Sequence, residues 1–417
     1  MKKTVLIVLV SFCLGLISAS AQNPTPVELH GQLSVKGNRI VDKNGEAVQL
    51  RGMSLFWSQW QGSFYNKALV KWLKNDWCIT VIRAAMAADS ANEGYAYHPS
   101  IAAEEKEKVI AVVDAAIELG IYVIIDYHSH NAHFKKNKAA AKVFFAEMSA
   151  KYKDVPNVIY EPWNEPIFNS NPNAWDATIK PYHEEIIEII RTNDPNNIIV
   201  CGTRQWSQRV DEAAENPIKK PNIAYTLHYY ANSHKGELRE IADYALSNNI
   251  ALFVTEYGTC NASGNLGFNA AESKTWWDFL NANKIGYCNW SVADKAETAS
   301  IMKPGSSSTG GWALTNLTES GKLVRENLLQ NCAVTSGIED ELNAGKSVLY
   351  PNPFQNKITI KRNGTFNYAI IDANGIELSK GNATETAQFG EELPNGIYMI
   401  KIEQNEKIDF QKAIKSN

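Results

Sequence analysis

The pattern of apolar and polar positions alternates between two periods from about residue 46 to residue 330. Short apolar runs rich in β-branched residues have the length of buried strands, and longer amphipathic stretches separate them. Eight runs fit the first description: Val48–Gly52, Thr80–Arg83, Tyr122–Asp126, Val158–Glu161, Ile198–Cys201, Ala224–His228, Ala251–Glu256 and Gly286–Trp290. Their starts lie 26 to 42 residues apart, which leaves room for one crossover helix after each strand. The pattern therefore predicts eight parallel strands with helices between them.

The segments between the strands support this prediction. Glu104–Leu119 places apolar side chains on one helical face, and Gly120 follows as a C-terminal cap. Tyr182–Arg191 shows the same period. Eight such units favour an α/β fold, the (β/α)8 TIM barrel. A doubly wound sheet is the alternative, but it would usually carry a glycine-rich phosphate turn after its first strand, and Arg51–Ser54 is not one.

The composition and residue pattern of the chain change after Cys332. Residues 333–346 are small and polar, as in a linker, whereas residues 347–417 contain short alternating runs broken by Asn-Gly turns. The predicted strands are Lys357–Lys361, Tyr368–Ile371, Ile397–Ile402 and Lys407–Ile414. We expect a catalytic barrel over residues 22–332, a linker, and a small all-β sandwich over residues 347–417.

The amino terminus has the features of a secretory signal. Lys2 and Lys3 precede the apolar stretch Val5–Ile17, and Ala19–Ala21 fits a signal-peptidase site. About 13 apolar residues are too few to span a bilayer. Residues 1–21 are therefore predicted to be a signal peptide, and the mature chain to be exported.

Composition narrows the function. Forty-one basic and 45 acidic residues give a net charge of −4, so no basic surface for nucleic acid is expected. Five cysteines follow the signal at scattered positions, without the paired spacing of a zinc site or a disulfide framework. Cys78, Cys201 and Cys288 lie in or beside apolar runs and are expected to be buried thiols.

Polar and aromatic residues close the predicted strands. In this fold the reacting groups lie at the carboxyl ends of the strands. Those positions hold Arg83, Asp126, His128, Asn164, Glu165, His228, Tyr230, Glu256 and Trp290. A single buried histidine or arginine is usually structural, but so many such groups at one end of a barrel indicate an active site.

Two carboxylates stand out in this set. Glu165 follows the fourth strand in the motif Asn164–Pro166, and Glu256 ends the seventh. Carboxyl groups about 5–5.5 Å apart serve as acid/base and nucleophile in retaining glycosidases. Such proximity would also keep one of them protonated. Glu161 is the alternative to Glu165, but it is expected to be a strand-end carboxylate bonded within the barrel.

The chain from Glu28 to about Leu329 resembles a bacterial endoglucanase (cellulase) of glycoside hydrolase family 5. The segments that carry the resemblance are Val48–Ser54, Val81–Met86, Ile121–His128, Asn157–Pro166, Thr203–Ser207, Leu227–Tyr230, Phe253–Gly258 and Asn289–Ser291. They cover the barrel in order. The resemblance implies a retaining hydrolase that cleaves internal β-1,4-glucosidic bonds, with no cofactor and no metal.

The resemblance also implies individual roles. Glu165 matches the acid/base and Glu256 the nucleophile. The remaining matches are groups that bond the nucleophile or contact sugar: Arg83, Tyr230, Asn164, His228, His128, Trp60, Trp206, Trp290, Lys295 and Glu297. Phe56 and Trp57 depart from the family, which often has a histidine there, and this leaves the preferred polysaccharide open. A β-mannanase, a mixed-linkage glucanase and a non-catalytic glycan-binding barrel are the alternatives.

Two further features of the sequence give weaker indications of function. His128, His130 and His133 could suggest a metal site, but no carboxylate completes a zinc-type set, so we expect sugar contact for His128 and solvent exposure for the other two. The C-terminal module resembles sorting domains of the type IX secretion pathway, in Leu349–Pro353 and Pro394–Tyr398. This resemblance implies that the mature chain passes through the periplasm and is secreted or held at the outer cell surface. The alternative is a carbohydrate-binding module, although this segment contains no tryptophan. The expected partners are a β-glucan and the secretion machinery, and the expected state is a monomer.

Overall fold

The computed structural model describes residues 24–89, 94–332, 347–373, 375–405 and 407–416. The predicted signal peptide, residues 1–21, and the predicted linker, residues 333–346, lie outside these ranges. The two parts of the chain on either side of the linker each have a hydrophobic core of their own.

Eight parallel strands close into a barrel in chain order. A short antiparallel pair, β1 (Ser34–Lys36) and β2 (Arg39–Val41), precedes them. The barrel strands are β3 (Arg51–Leu55), β4 (Val81–Ala87), β5 (Tyr122–His128), β6 (Val158–Glu161), β7 (Ile199–Cys201), β8 (Ile223–Tyr230), β9 (Ala251–Gly258) and β10 (Gly286–Val292). The predicted (β/α)8 barrel is confirmed.

Several strands run further towards the carboxyl end than their apolar runs indicated. The strand β4 continues past Arg83 because Ala84–Ala87 pairs with the end of β5, although alanine is a poor strand former. The first barrel strand is shifted to Arg51–Leu55, because Val48 instead bonds to Ile40 of β2 at the barrel floor. Hydrogen bonds to the neighbouring strands, rather than the strand propensity of the residues themselves, therefore decide where these strands begin and end.

Helices surround the barrel. They are α1 (Pro26–His30), α2 (Lys67–Trp77), α3 (Pro99–Leu119), α4 (Lys135–Lys151), α5 (Lys180–Asn193), α6 (Arg204–Ser207), α7 (Val210–Glu215), α8 (Gly236–Ser247), α9 (Ala270–Ala282) and α10 (Glu319–Gln330). Within the described ranges, no helix has both the length and the apolar character needed to cross a membrane.

The interior of the barrel changes from apolar to polar along its axis. Because side chains alternate along a strand, every second residue points inwards. On β4 the inward series starts with Val81, which packs in the apolar floor, and continues with Arg83. On β9, Phe253 lies in the same floor, and Thr255 follows two residues later. The polar layer lies at the carboxyl end.

The C-terminal part forms one five-stranded antiparallel sheet. Its strands are β11 (Val348–Tyr350), β12 (Ile358–Asp372), β13 (Glu377–Phe389), β14 (Gly396–Gln404) and β15 (Lys407–Lys415). An all-β module is confirmed, but its strands pair into one sheet where a sandwich was expected, and two local predictions are wrong. Asn363-Gly364 lies inside β12 at a register shift instead of forming a turn. The polar sequence of β13 gave no strand signal because this strand is largely exposed.

A disulfide joins Cys78 to Cys332, with their Cα atoms 5.4 Å apart. The expectation that Cys78 would be a free thiol is therefore wrong. The residues are 254 positions apart, and only barrel closure brings the end of α2 beside the end of α10. Spacing along the chain could not reveal the pair. Cys201, Cys260 and Cys288 are buried free thiols, and burial raises the pKa of each.

Replacing Cys78 and Cys332 together by serine should lower the free energy of unfolding by about 2–4 kcal/mol, because the crosslink restricts the unfolded chain. Chemical denaturation of the oxidised wild type and the double variant measures the difference. As a control, reductant should shift the midpoint of the wild type and leave that of the variant unchanged. Equal midpoints for the oxidised wild type and the variant would contradict a stabilising disulfide.

Candidate active site

The mouth of the barrel holds a cavity of about 490 Å³. Its walls come from the segments that follow β5, β6 and β7 and from the ends of β8 and β9. The lining residues are His130, Glu165, Gln205, Trp206, Gln208, His228, Tyr230, His234, Glu256 and Ala262. Of the predicted site residues, five border this space directly: Glu165, Trp206, His228, Tyr230 and Glu256.

Both oxygens of Glu256 are held by hydrogen-bond donors. Arg83 Nη1 lies 3.2 Å from Oε2, and the Tyr230 hydroxyl donates to Oε1 at 2.7 Å. Glu256 is 4% exposed, so water competes little for these bonds. Donors to a carboxylate stabilise its ionised form. The arrangement suits a carboxylate that must remain charged and fixed in orientation.

Arg83 is fully buried and binds more than one acid. Its Nε lies 2.7 Å from Glu161 Oε2, and its Nη2 lies 2.9 Å from Asp126 Oδ2. Burial alone would lower the pKa of Arg83, but the charges of these acids and of Glu256 outweigh it and raise that pKa. Burial raises the pKa of Asp126 to about 7. Glu161 has no exposed surface, as expected for a carboxylate bonded within the barrel.

Glu165 is held by two imidazoles instead. His228 Nδ1 lies 2.9 Å from Oε1, and His130 Nε2 lies 3.2 Å from Oε2. Burial tends to raise the pKa of Glu165, but the hydrogen bonds and charges of both histidines outweigh it and hold that pKa below its ordinary value. The pKa values of both histidines are raised in turn, because the charge of Glu256 and the bond to Glu165 outweigh burial for His228, and the bond to Glu165 and its charge do so for His130.

The hydrogen bonds around His228 have a place for one proton shared with Glu165. When the Thr255 hydroxyl donates to Glu161 at 2.6 Å, its oxygen can accept from His228 Nε2 at 2.9 Å. With Nε2–H so assigned, His228 Nδ1 either carries a second proton or accepts one from Glu165. The Glu165–His228 pair therefore holds one proton in either form. Proximity of the two carboxylates was expected to keep one of them protonated, whereas in this arrangement His228 shares a proton with Glu165.

The two predicted catalytic carboxylates meet over one pocket. An oxygen of Glu165 and an oxygen of Glu256 lie within 4.8 Å of each other, with a nitrogen of His228 in the same group. This separation matches a double displacement, because an inverting enzyme needs carboxyl groups about 6.5–9.5 Å apart to admit water.

The same cluster could be taken for a metal site, but its donors are already occupied. Both nitrogens of His228 and both oxygens of Glu256 make the hydrogen bonds described above. A cation there would have to displace the Arg83 guanidinium or the Tyr230 hydroxyl. The donor set does not fit a resident ion.

Asn164 lies between the acids with one group free for a ligand. Its Oδ1 accepts from Arg83 Nη2 at 2.5 Å, whereas its buried Nδ2 has no partner among the described residues. His128 is fixed by a 2.6 Å contact to Asp126 and stacks on Trp290 with centroids 5.1 Å apart. Burial, reinforced by Arg83, lowers the pKa of His128 to about 3, so this imidazole is neutral.

The other predicted sugar contacts lie at the edges of the site. Trp60 is 48% exposed and Trp206 37% exposed, as stacking platforms must be. Lys295 pairs with Glu297 at 2.7 Å, and its Nζ lies 4.3 Å from the ring of Phe56. The Lys295–Glu297 pair therefore places charge next to the aromatic surface of Phe56.

Trp206 is presented by an unusual piece of backbone. Gln205, Trp206 and Ser207 have φ values of 58°, 54° and 58°, in the left-handed region that costs energy for side chains with a Cβ. The turn is held to the segment that carries Glu165, because the amide of Trp206 donates to the Pro166 carbonyl at 3.1 Å. Sequence patterns gave no sign of this conformation.

His130 and His133 are only partly exposed, and both make contacts that the expectation of solvent exposure did not include. His130 contacts Glu165, and His133 stacks on Trp163 with centroids 5.2 Å apart. One signal could have found His130. Asp126, His128 and His130 are spaced by two residues, so an extended backbone would direct all three towards the barrel mouth.

Two sequence profiles and several known proteins match this chain. A sequence profile described as cellulase (glycosyl hydrolase family 5) matches residues 41–296, and one described as a secretion system C-terminal sorting domain matches residues 348–416. Endoglucanase N of Pectobacterium atrosepticum is 47% identical over 313 residues, which are 75% of this chain and 68% of that protein.

Solved structures give the same result for the barrel. A chain from Cytophaga hutchinsonii is 56% identical with a TM-score of 0.72, over 76% of this chain and all of that one. The catalytic domain of endoglucanase Cel5A from Thermobifida fusca is 33% identical with a TM-score of 0.67, over 73% of this chain and 99% of that domain.

Gly258 allows a test of the geometry around Glu256. A Cβ at this position would lie 2.3 Å from Cδ1 of Tyr230, so Gly258→Ala must displace the ring that bonds Glu256. We expect kcat/KM to fall by about 10–100-fold, since small misplacements of catalytic groups have effects of this size. Steady-state kinetics on a soluble glucan measures it. Gly236→Ala, where a Cβ would meet no atom within 4 Å, is the control. Wild-type kinetics for Gly258→Ala would refute the positioning role of Tyr230.

Proposed function

The chain belongs to glycoside hydrolase family 5, and we propose that it is an exported endo-β-1,4-glucanase that cleaves cellulose and related β-glucans by double displacement. The observation that carries the proposal is the pair of carboxylates, Glu165 and Glu256, within 4.8 Å at the barrel mouth and in different hydrogen-bond environments.

In the first step Glu256 attacks the anomeric carbon. Arg83 and Tyr230 keep this carboxylate ionised and aimed, and Glu165 passes the proton it shares with His228 to the departing glycosidic oxygen. The bond between the anomeric carbon and that oxygen breaks, and a glycosyl ester forms on Glu256. In the second step Glu165, now a carboxylate, removes a proton from the attacking water.

Substrate contacts are assigned around this pair. The free Nδ2 of Asn164 would donate to the sugar 2-hydroxyl, and His128 would line the adjoining subsite. The exposed tryptophans, Trp60 and Trp206, would stack on sugar faces, as Trp290 would beside the cleaved bond. Lys295 and Glu297 would contact hydroxyl groups on the glycone side.

The competing functions make different predictions. A β-mannanase or a mixed-linkage glucanase would use the same two carboxylates, so product profiles on carboxymethylcellulose, mannan and lichenan side by side distinguish these activities. A non-catalytic glycan-binding barrel has no need for two carboxylates in such different environments. The relatives from Pectobacterium atrosepticum and Thermobifida fusca are endoglucanases by name, which favours cellulose.

The C-terminal sheet is a sorting domain of the type IX pathway, which indicates export and then release or attachment at the cell surface. We infer that the secretion machinery is its partner and that it takes no part in catalysis. The catalytic unit would then be the monomeric barrel, and a solved relative from Cytophaga hutchinsonii matches over its full length to 76% of this chain.

Glu165→Gln should affect substrates according to their leaving groups. Because a good leaving group departs without protonation, kcat/KM for 2,4-dinitrophenyl β-cellobioside should change less than about tenfold, whereas cello-oligosaccharide cleavage should fall by about 10²–10⁴-fold. Initial rates on both substrates give the comparison. Equal losses on the two substrates would argue against an acid/base role for Glu165.

Removing residues 347–417 should leave kcat/KM on soluble carboxymethylcellulose within about twofold of the intact enzyme, because the catalytic cavity is built from barrel residues alone. Export from the native cell should fail. Kinetics of the purified truncated enzyme and fractionation of cells address the two points. A large loss of activity would favour a substrate-binding module instead.

A further inference from the structure

His130 contacts Glu165 but has no part in the two catalytic steps proposed above. It lies two residues beyond the end of β5 and borders the catalytic cavity. Its Nε2 is 3.2 Å from Glu165 Oε2, and its side chain is 35% exposed. His228 binds the other oxygen of the same carboxyl group, so the two imidazoles hold Glu165 from both ends.

The loop that carries His130 is fixed in place. The His130 amide donates to Asp89 Oδ2 at 2.7 Å, and the Ser129 hydroxyl donates to Asp89 Oδ1 at 2.5 Å. Asn137 Nδ2 donates to that same Oδ1 at 2.8 Å. Asp89 therefore ties two consecutive residues of the loop to the first turn of α4, so the backbone of His130 is anchored before any substrate arrives.

The ring and the acid are positioned together. The His130 ring meets Trp57 edge-on, with centroids 5.6 Å apart and planes at 68°. The Glu165 amide donates to the Ser129 carbonyl at 3.2 Å, which joins the backbones of the two segments. These contacts leave the His130 imidazole little freedom to turn away from Glu165.

We propose that His130 is a positioning residue for the acid step, whose Nε2–H stabilises the carboxylate that forms on Glu165 as the proton departs. This inference rests on the proposed acid/base role of Glu165. In that step the proton moves from Glu165 to the glycosidic oxygen, which keeps the electron pair of the broken bond, and Glu256 bonds to the anomeric carbon. The Glu165–His228 pair loses its shared proton, which leaves Glu165 as a carboxylate, and a donor on Oε2 favours that charge.

The role predicts dependence on the leaving group. His130→Phe keeps a flat ring against Trp57 but removes the donor. It should lower kcat/KM for phenyl β-cellobioside and cello-oligosaccharides by about 10–100-fold, the range expected for a lost hydrogen bond to a charged group. With 2,4-dinitrophenyl β-cellobioside, which needs no proton, the change should be within about twofold.

A replacement side chain that places a hydrogen-bond donor at a similar distance from Glu165 should restore the acid step. His130→Gln places an amide N–H near Oε2 and should recover most of the rate on phenyl β-cellobioside. If His130→Phe does not fold, His130→Leu gives the same donor-free comparison. The matched control is His133→Phe on the same loop, because His133 packs against Trp163 and has no contact with Glu165 among its described interactions. It should behave like wild type on every substrate.

Two results would overturn the proposal. One is an equal loss for His130→Phe on good and poor leaving groups, which would indicate a structural or binding role. The other is a wild-type rate on phenyl β-cellobioside. Glu165→Gln in the same assay separates this inference from the proposed function. Leaving-group selectivity in Glu165→Gln but not in His130→Phe would refute the role of His130 alone.

Discussion

One buried guanidinium holds the catalytic centre together. Arg83, on β4, binds Asp126 from β5, Glu161 from β6 and Glu256 from β9, and it also donates to Asn164. An unpaired buried charge is very costly, so the arginine and its acids must be satisfied together. This mutual need joins four strand segments at one height in the barrel. A single group thereby fixes Glu256, the proposed nucleophile, and Asn164, the proposed contact to the sugar 2-hydroxyl.

The two carboxylates have different hydrogen-bond partners, and these partners suit them to opposite tasks. Glu256 bonds to a permanent cation and a hydroxyl, which cannot take a proton from it. Glu165 bonds to two imidazoles, which can share a proton with it. Two chemically similar acids thus become a fixed anion and a proton donor, the separation that this kind of catalysis requires. Their proximity alone would not have decided which acid takes which task.

Much of this could be predicted from the sequence because strand ends are marked by abrupt changes from apolar to polar residues. Glu256 ends the run Ala251–Val254, and the eight runs gave the barrel. Features made by contacts between distant segments were missed. Cys78 meets Cys332 only after the ring of helices closes, and β13 is a strand because β12 pairs with it. His130 was missed because its partner lies 35 residues away on another loop.

The covalent intermediate on Glu256 is the most direct test of the account. Incubation with 2,4-dinitrophenyl 2-deoxy-2-fluoro-β-cellobioside should trap it, because the fluorine slows both formation and hydrolysis of the ester, whereas the good leaving group keeps formation faster than hydrolysis. Mass spectrometry of peptides should then show one fluoroglycosyl group on the peptide that contains Glu256, at that residue. Attachment to another carboxylate such as Glu161, or turnover with inversion and no attached sugar, would contradict the double displacement.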